Sequence, residues 1–429
     1  MDEQGRNTGR HGREAAALLL FALLAACGPE RASGPLRQEA YVWQRSWSPA
    51  VRASVLQARD FARLVVLAAE VDLRGRSPRV VRIPLDSALR ASGRPVGAAL
   101  RVTAFSSRFA DEPRIARLLA DLARSVTAEA RSRGLRLSEV QIDYDCPESK
   151  LEDYAALLPA LREAVAPVPV TITALPAWMR QRRAFGGLIR AADGYVLQVH
   201  SLTPPAGPGA EIVLCDPHAA RGWIEEAARF GRPFRVALPT YGYAAAFNSK
   251  GKLLGLSAEG PLLSWPEGIT LRAARTDPGA MAGLVRGWTT DRPAALAGIL
   301  WYRLPVATDR LNWTLPTLRA VSRGETPRAD VRAQVREPEP GLVEIDLLNL
   351  GTADSAPPPV SIRWRGSRLI AADGLAGYRV LDAGPSAARL DAASRGGVLR
   401  PGDRRTAAWL RFATRTEVHV ELTEPGDPR

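Results

Sequence analysis

From Tyr41 to about Ser322, short apolar runs alternate with stretches in which apolar residues recur every three or four positions. The short runs are Tyr41–Gln44, Leu64–Leu67, Ala99–Ala104, Val140–Asp145, Val168–Thr173, Gly194–Val199, Phe234–Leu238 and Ala297–Tyr302. Several are apolar on both faces, the pattern of parallel strands covered by helices. Between them, Ile115, Leu118, Leu119, Leu122 and Val126 share one helical face. So do Tyr154, Leu157, Leu158, Leu161 and Val165, and then Trp223, Ile224, Ala227 and Phe230. Pro78 and Pro84 weaken any helix between the second and third runs. Eight strands with helical crossovers over residues 40–322 predict an α/β fold, a (β/α)8 barrel. A doubly wound open sheet fits less well, because no Gly-rich phosphate loop follows any strand.

Beyond Ser322 the pattern changes. Residues 323–341 are charged and contain prolines, and read as a linker. Val343–Leu347, Val360–Trp364, Trp409–Phe412 and Val418–Leu422 then alternate with period two. Turn residues at Asn349–Gly351 and Pro401–Asp403 separate them, so residues 342–429 predict a small, immunoglobulin-like β-sandwich.

At the other end, a polar head carrying Arg6, Arg10 and Arg13 precedes an apolar run from Ala15 to Ala26. That run is too short to span a bilayer core of about 30 Å, and suits a signal peptide over residues 1–27. Leu24-Ala25-Ala26-Cys27 resembles the bacterial lipobox, which implies cleavage before Cys27 and a lipid on its thiol. Ordinary signal-peptidase cleavage and a later start site are the other readings. Gly28, rather than Asp, follows the cysteine, which by the sorting rule of such lipoproteins implies the outer membrane, facing the periplasm. Residues 28–39, rich in Gly, Pro and Arg, read as a flexible tether.

The formal charge is +13, almost all of it arginine, with lysine only at Lys150, Lys250 and Lys252. The arginines are scattered, and no basic helix or aromatic RNA motif accompanies them, so nucleic acid is not the expected partner. Anionic envelope polymers or lipid head groups suit an exported basic protein better. No metal spacing and no nucleotide motif occurs, so cofactor-free chemistry is expected. In an oxidising compartment Cys146 and Cys215 are candidates for one disulfide, tying the loop after the sixth run over the barrel mouth.

In such a barrel the active site lies at the C-terminal ends of the strands. The fourth run ends Gln141-Ile142-Asp143-Tyr144-Asp145-Cys146-Pro147-Glu148, and alternation puts Gln141, Asp143 and Asp145 on one face. Two inward carboxylates two residues apart raise one another's proton affinity, which suits a general acid. Other strand ends add Glu70, Asp72, Gln198, His200, Tyr241, Tyr243, Trp301 and Arg303, with Trp43 and Trp47 as ambiguous aromatics after the first.

The Gln-Ile-Asp-Tyr-Asp-Cys run, Val196–His200 and Leu238–Gly242 resemble the family called domain of unknown function 3142, over most of Tyr41 to Pro305. More distantly, the chain is similar to the chitinase-like enzymes of glycoside hydrolase family 18. Their fourth strand carries Asp-x-x-Asp-x-Asp-x-Glu, whose last two Asp positions match Asp143 and Asp145. Trp301 matches their sugar-flooring Trp. The position of their catalytic Glu holds Pro147, with Glu148 one residue on, and Ser138 stands near the place of their first Asp. The resemblance thus implies the fold more firmly than the family's reaction. The expected function is hydrolysis of an envelope or extracellular polysaccharide, with Asp143, Asp145 and Glu148 as catalytic carboxyls. Glu70, Gln141, Gln198, His200, Tyr241, Tyr243, Trp301 and Arg303 would bind the sugar. Non-catalytic glycan binding by an anchored lipoprotein is the alternative, and an assembly factor acting through the β-sandwich a third.

Overall fold

The computed structural model describes residues 29–423 apart from 76, 106, 201–204, 206, 211, 258–267 and 393–397. The expected signal peptide and the expected lipidation site, Cys27, lie outside the described residues. The chain forms two compact units, Met1–Asn312 and Trp313–Arg429.

In the first unit eight parallel strands close on themselves: β1 (Arg37–Val42), β2 (Arg63–Asp72), β3 (Val96–Val102), β4 (Leu137–Tyr144), β5 (Val170–Ala174), β6 (Gly194–Gln198), β7 (Phe234–Pro239) and β8 (Leu296–Tyr302). Each pairs with its sequence neighbour, and β8 pairs with β1, which makes a (β/α)8 barrel. All eight expected runs are barrel strands. Between consecutive strands run α1 (Pro49–Gln57), α2 (Ser87–Ala91), α3 (Pro113–Ser132), α4 (Leu151–Val165), α5 (Arg182–Ala191), α6 (Pro217–Ala228) and α7 (Pro278–Thr290). Proline in the first turn and a capping Asp216 or Asp277 start α6 and α7, where free amides need acceptors. Helix α4 buries Tyr154, Leu157, Leu158, Leu161 and Val165, the stripe read from the sequence. Helix α2 has five residues, because the strand Arg79–Arg82 turns back antiparallel along β2 and uses much of that crossover.

Two segments expected to be irregular are ordered. Within the supposed tether, Arg31–Ala32 pairs antiparallel with Arg292–Pro293, just before β8, and the Arg31 guanidinium holds Glu225 at 2.7 Å and Asp291 at 2.7 Å. The supposed linker contains β9 (Val331–Glu339), an edge strand paired with β10 (Leu342–Asn349). Its charged residues alternate with Val331, Ala333 and Val335, and solvent on one side hid the strand among prolines and acids. The helix Leu315–Ser322 belongs to the second unit, so the first ends about ten residues before the expected limit.

The second unit holds β9, β10, β11 (Val360–Trp364), β12 (Leu369–Gly374), β13 (Tyr378–Ala383), β14 (Ala387–Ala392), β15 (Arg404–Phe412) and β16 (Val418–Leu422). They form two four-stranded antiparallel sheets, β9-β10-β15-β12 and β13-β14-β11-β16. Ile345, Leu347 and Leu410 of one meet Ile362, Trp364 and Leu390 of the other in a shared core, a β-sandwich.

Inside the barrel, alternating side chains stack in layers. At the base, Arg235 (β7) bonds Glu39 (β1) at 2.5 Å and Glu139 (β4) at 2.6 and 2.9 Å. Arg63 (β2) holds Glu139 at 3.1 Å, and the Thr171 hydroxyl donates to it at 2.9 Å. Burial alone would push the Glu139 carboxyl up, but Arg235 and Arg63 outweigh it and hold it at about 2. Gly97 makes room: a Cβ there would stand 2.8 Å from Glu139 Cγ. Above this layer Tyr41, Val65, Ala99, Val196, Ala237 and Leu300 fill the barrel and support the mouth.

Candidate active site at the barrel mouth

Continuing the alternation of β4 past Glu139 and Gln141 brings Asp143 and then Asp145 to the open end. There they line a cavity of about 140 Å³ with Trp43, Arg101, Gln198, His200, Tyr241, Tyr243 and Tyr302. Asp143 is partly buried and Asp145 exposed. Burial first, and then the Asp145 charge, pushes the Asp143 carboxyl up to about 6, against the opposing pull of Thr173 and Arg101. The structure therefore supplies a carboxyl that holds its proton into the near-neutral range beside one that is open to ligand.

The wall is aromatic. Tyr302 lies 5.4 Å from Trp43, 5.5 Å from Tyr241 and 5.6 Å from Tyr41 between ring centroids, and stacks on His200 at 5.4 Å. Tyr243 continues the row, 5.4 Å from Tyr241. His200 Nδ1 meets the Tyr241 hydroxyl at 3.1 Å, and burial drives its pKa down to about 3, so the ring is neutral. Among the described residues His200 Nε2, Trp43 Nε1 and both amide atoms of Gln141 are buried without a hydrogen-bond partner. Buried polar atoms are nearly always satisfied. Four in and just beneath one mouth mark a place made for a polar molecule.

A second cavity, of about 610 Å³, adjoins the first through Trp43, Arg101, Tyr241, Tyr243 and Tyr302, and adds Glu70, Arg45 and Arg303. Glu70 is gripped by Arg45 at 2.6 and 2.9 Å and faces Arg101 at 3.8 Å. Arg303 is tied to Asp309 at 2.7 Å.

Of the residues picked from the sequence, Asp143, Asp145, Gln198, His200, Tyr241 and Tyr243 meet in one cavity, and Glu70 and Arg303 in its neighbour. Gln141 sits lower, fully buried in the barrel. Three expectations are corrected. Glu148 starts a short helical turn after Pro147 and pairs with Arg180 at 2.5 Å, outside the cavity lining. Trp301 points outward from β8, fully buried, its indole donating to Gln38 at 2.7 Å. Strand alternation gives the inward place to Tyr302. Cys146 and Cys215 are free thiols. Cys146 is turned to the side opposite Asp145, donating to the Pro147 carbonyl at 3.4 Å while its own carbonyl accepts from the Trp178 indole. Burial pushes both thiols up to about 12. Trp47 stands outside the lining and donates to the Pro84 carbonyl at 2.8 Å.

Sequence reasoning missed Arg101, Tyr302 and Tyr41. The signal for Arg101 was present: it alternates with Ala99 in a strand whose outward positions are apolar.

Fold and site together define a (β/α)8 barrel with a paired-carboxyl, aromatic-walled mouth. Residues 92–307, half of the chain, match the family model described as a domain of unknown function, DUF3142, and the chain belongs to that family. Residues 332–413 match a second domain of unknown function, DUF8456. No curated protein matches the chain. Among solved structures it is similar to the Bacillus cereus spore cortex-lytic enzyme SleL, at 12% identity and a TM-score of 0.46 over 69% of this chain and 75% of that one. It is also similar to a chitinase from Chromobacterium violaceum, at 14% identity and a TM-score of 0.43 over 67% and 98%. A glycoside hydrolase family 18 chitinase from Cycas revoluta, in complex with (GlcNAc)3, gives 15% identity and a TM-score of 0.41 over 67% and 97%. At these scores no residue's role passes from them to this chain.

Proposed function

We propose that the protein is a glycan-acting hydrolase anchored at the bacterial envelope. The observation that carries this reading is the Asp143–Asp145 pair, one carboxyl protonated up to about pH 6 and the other exposed, beneath a row of aromatic rings. Glycoside cleavage needs a proton for the leaving oxygen and a second, ionised carboxylate. Here Asp143 holds the proton that the leaving oxygen takes, with Asp145 beside it at the open end of the cavity. Glu70, across Arg101, is the second carboxyl. Ring faces of Tyr302, Tyr241 and Trp43 suit the apolar faces of sugar rings.

The lipid on Cys27 gives this enzyme its address. Arg31–Ala32, four and five residues later, is clamped at the N-terminal end of β8, opposite the mouth. An anchor there turns the closed end of the barrel toward the membrane and the mouth toward the polymer. Export with an N-terminal lipid is tested by mass spectrometry of the mature protein: an acylated Cys27 N-terminus supports it, and an intact Met1 or an unmodified cysteine sinks it.

The departure of Glu148 from the mouth favours a second reading, glycan binding without turnover. Reducing-end release from peptidoglycan, chitin, poly-N-acetylglucosamine and capsule extracts separates the two, with Asp145→Asn beside the wild type. Turnover lost in the variant supports the hydrolase. Binding without turnover in both proteins leaves only the second reading.

A further inference from the structure

The mouth does not end at the aromatic wall. Beyond Arg101 the groove continues into a third cavity of about 480 Å³, lined by Arg45, Glu70, Val71, Asp72, Arg74, Arg79, Val81, Arg101 and Thr103. Its chemistry differs from that of the mouth. Among the described residues no aromatic ring lines it, so they offer no stacking surface for a sugar. It presents four guanidinium groups against two carboxylates.

The carboxylates are already matched. Arg45 holds Glu70 at 2.6 Å, and Arg74 holds Asp72 at 2.8 Å. The Asp72 carboxyl is kept well below its ordinary range by hydrogen bonds from Arg74. That leaves two cations. Arg79 makes no ion pair among the described residues, and Arg101, 3.8 Å from Glu70, also lies beside Asp143 on its other neighbouring strand. Pairing register places them on either side of β2: Glu70 lies opposite Arg101 and opposite Val81, and Asp72 opposite Arg79. Arg79 and Arg101 are thus two strand spacings apart across β2 and two residues offset along it, about 12 Å between Cα atoms. A guanidinium fork suits a planar carboxylate better than an ammonium does.

We infer that this arm of the groove binds negatively charged sugar units, so that the substrate is a carboxylated, uronate-type polysaccharide running from the arginine arm into the acid mouth. The inference rests on the reading of the mouth as a glycan site and specifies its substrate class. Arg101 stands at the junction of the three cavities, where it meets the last charged unit before the reacting bond.

The test compares binding of polygalacturonate, its fully methyl-esterified neutral form and chitohexaose to the purified full chain. It uses wild type, Arg79→Gln, Arg79→Lys and Arg379→Gln; Arg379, exposed on the β-sandwich, controls for the protein's general basicity. The expected result is that polygalacturonate binds more tightly than its ester and that its affinity weakens with salt. Arg79→Gln should weaken its binding about tenfold, the loss of one charge-assisted contact. Arg79→Lys should retain part of it, and Arg379→Gln all of it. Equal affinity for the ester, an Arg379→Gln effect as large as that of Arg79→Gln, or displacement by inorganic polyphosphate at lower concentration than by free polygalacturonate would each overturn the inference. Asp145-dependent turnover of a neutral glycan untouched by Arg79→Gln would overturn it while leaving the hydrolase standing. Arg79-dependent binding of polygalacturonate without turnover would support it and remove the hydrolase instead.

Discussion

The base and the mouth of the barrel interior both carry carboxyls beside arginine, yet the carboxyls are treated in opposite ways. At the base Glu39 and Glu139 are closed in by Arg63 and Arg235, with Thr171 completing the Glu139 carboxylate. Four residues further along from Glu139, Asp143 stands beside Asp145, and Trp43, Gln141 and His200 leave polar atoms without partners among the described residues. The base lowers a carboxyl to about 2, and the mouth raises one to about 6. Charge inside a barrel is therefore not by itself a sign of function. A carboxylate network gripped by arginines fixes the fold, whereas two carboxyls left beside one another at the open end are available to a ligand.

Breaking the base should cost the most. Glu139→Gln leaves Arg63 and Arg235 sharing Glu39, and should destabilise the barrel by about 3–5 kcal/mol in urea denaturation. A loss below about 1 kcal/mol would mean that the network contributes little, and the contrast would fail.

The mouth should respond with the opposite sign. The folded-state pKa of Asp143 is raised from 3.8 to about 6. Folding therefore favours its protonated form, and stability from this group is present below pH 4 and lost as pH rises through 6. Asp143→Asn removes that loss, so the variant should be more stable than wild type by about 3 kcal/mol at pH 8, with the difference vanishing near pH 3. A variant less stable at pH 8 would show that Asp143 is a paired structural carboxylate like Glu139.

Gly97→Ala is a milder probe of the base. Its methyl would press on Glu139 Cγ, which Arg235 holds in place, and should destabilise by about 1–2 kcal/mol without altering ligand binding at the mouth. Smallest of all is Glu148→Gln. The pair with Arg180 is partly exposed, so its loss should change stability by less than about 0.5 kcal/mol and leave any turnover unchanged. A large loss of turnover would return Glu148 to the site.

The barrel was legible because its strands carry apolar runs on both faces and its helices carry single apolar stripes. The three-stranded antiparallel excursion after β7, Gly242–Phe247 between Leu253–Ser257 and Thr270–Arg275, was not. Gly242–Phe247 is Ala-rich, Leu253–Ser257 is broken by Gly255, and Thr270–Arg275 sets two alanines between two arginines, so none stands out from loop. Period-two alternation correctly grouped Asp143 with Asp145, and would have favoured Tyr302 over Trp301 had it been applied to β8 instead of the family motif. Glu148 failed for a related reason: β4 ends at Tyr144 and Pro147 leads into a helical turn, where alternation no longer says where a side chain points. The thiols of Cys146 and Cys215 were paired on compartment alone, without regard to the face on which each sits.

The most direct measurement is the pH dependence of kcat/KM for reducing-end release, in wild type and in Asp143→Asn, on whichever polysaccharide the wild type cleaves. The expected profile falls above about pH 6, where Asp143 gives up its proton, and the variant loses at least about a hundredfold in rate at pH 5. A wild-type profile flat from pH 4 to 8, or an Asp143→Asn variant that retains the wild-type rate, would contradict the assignment of the mouth as the catalytic site.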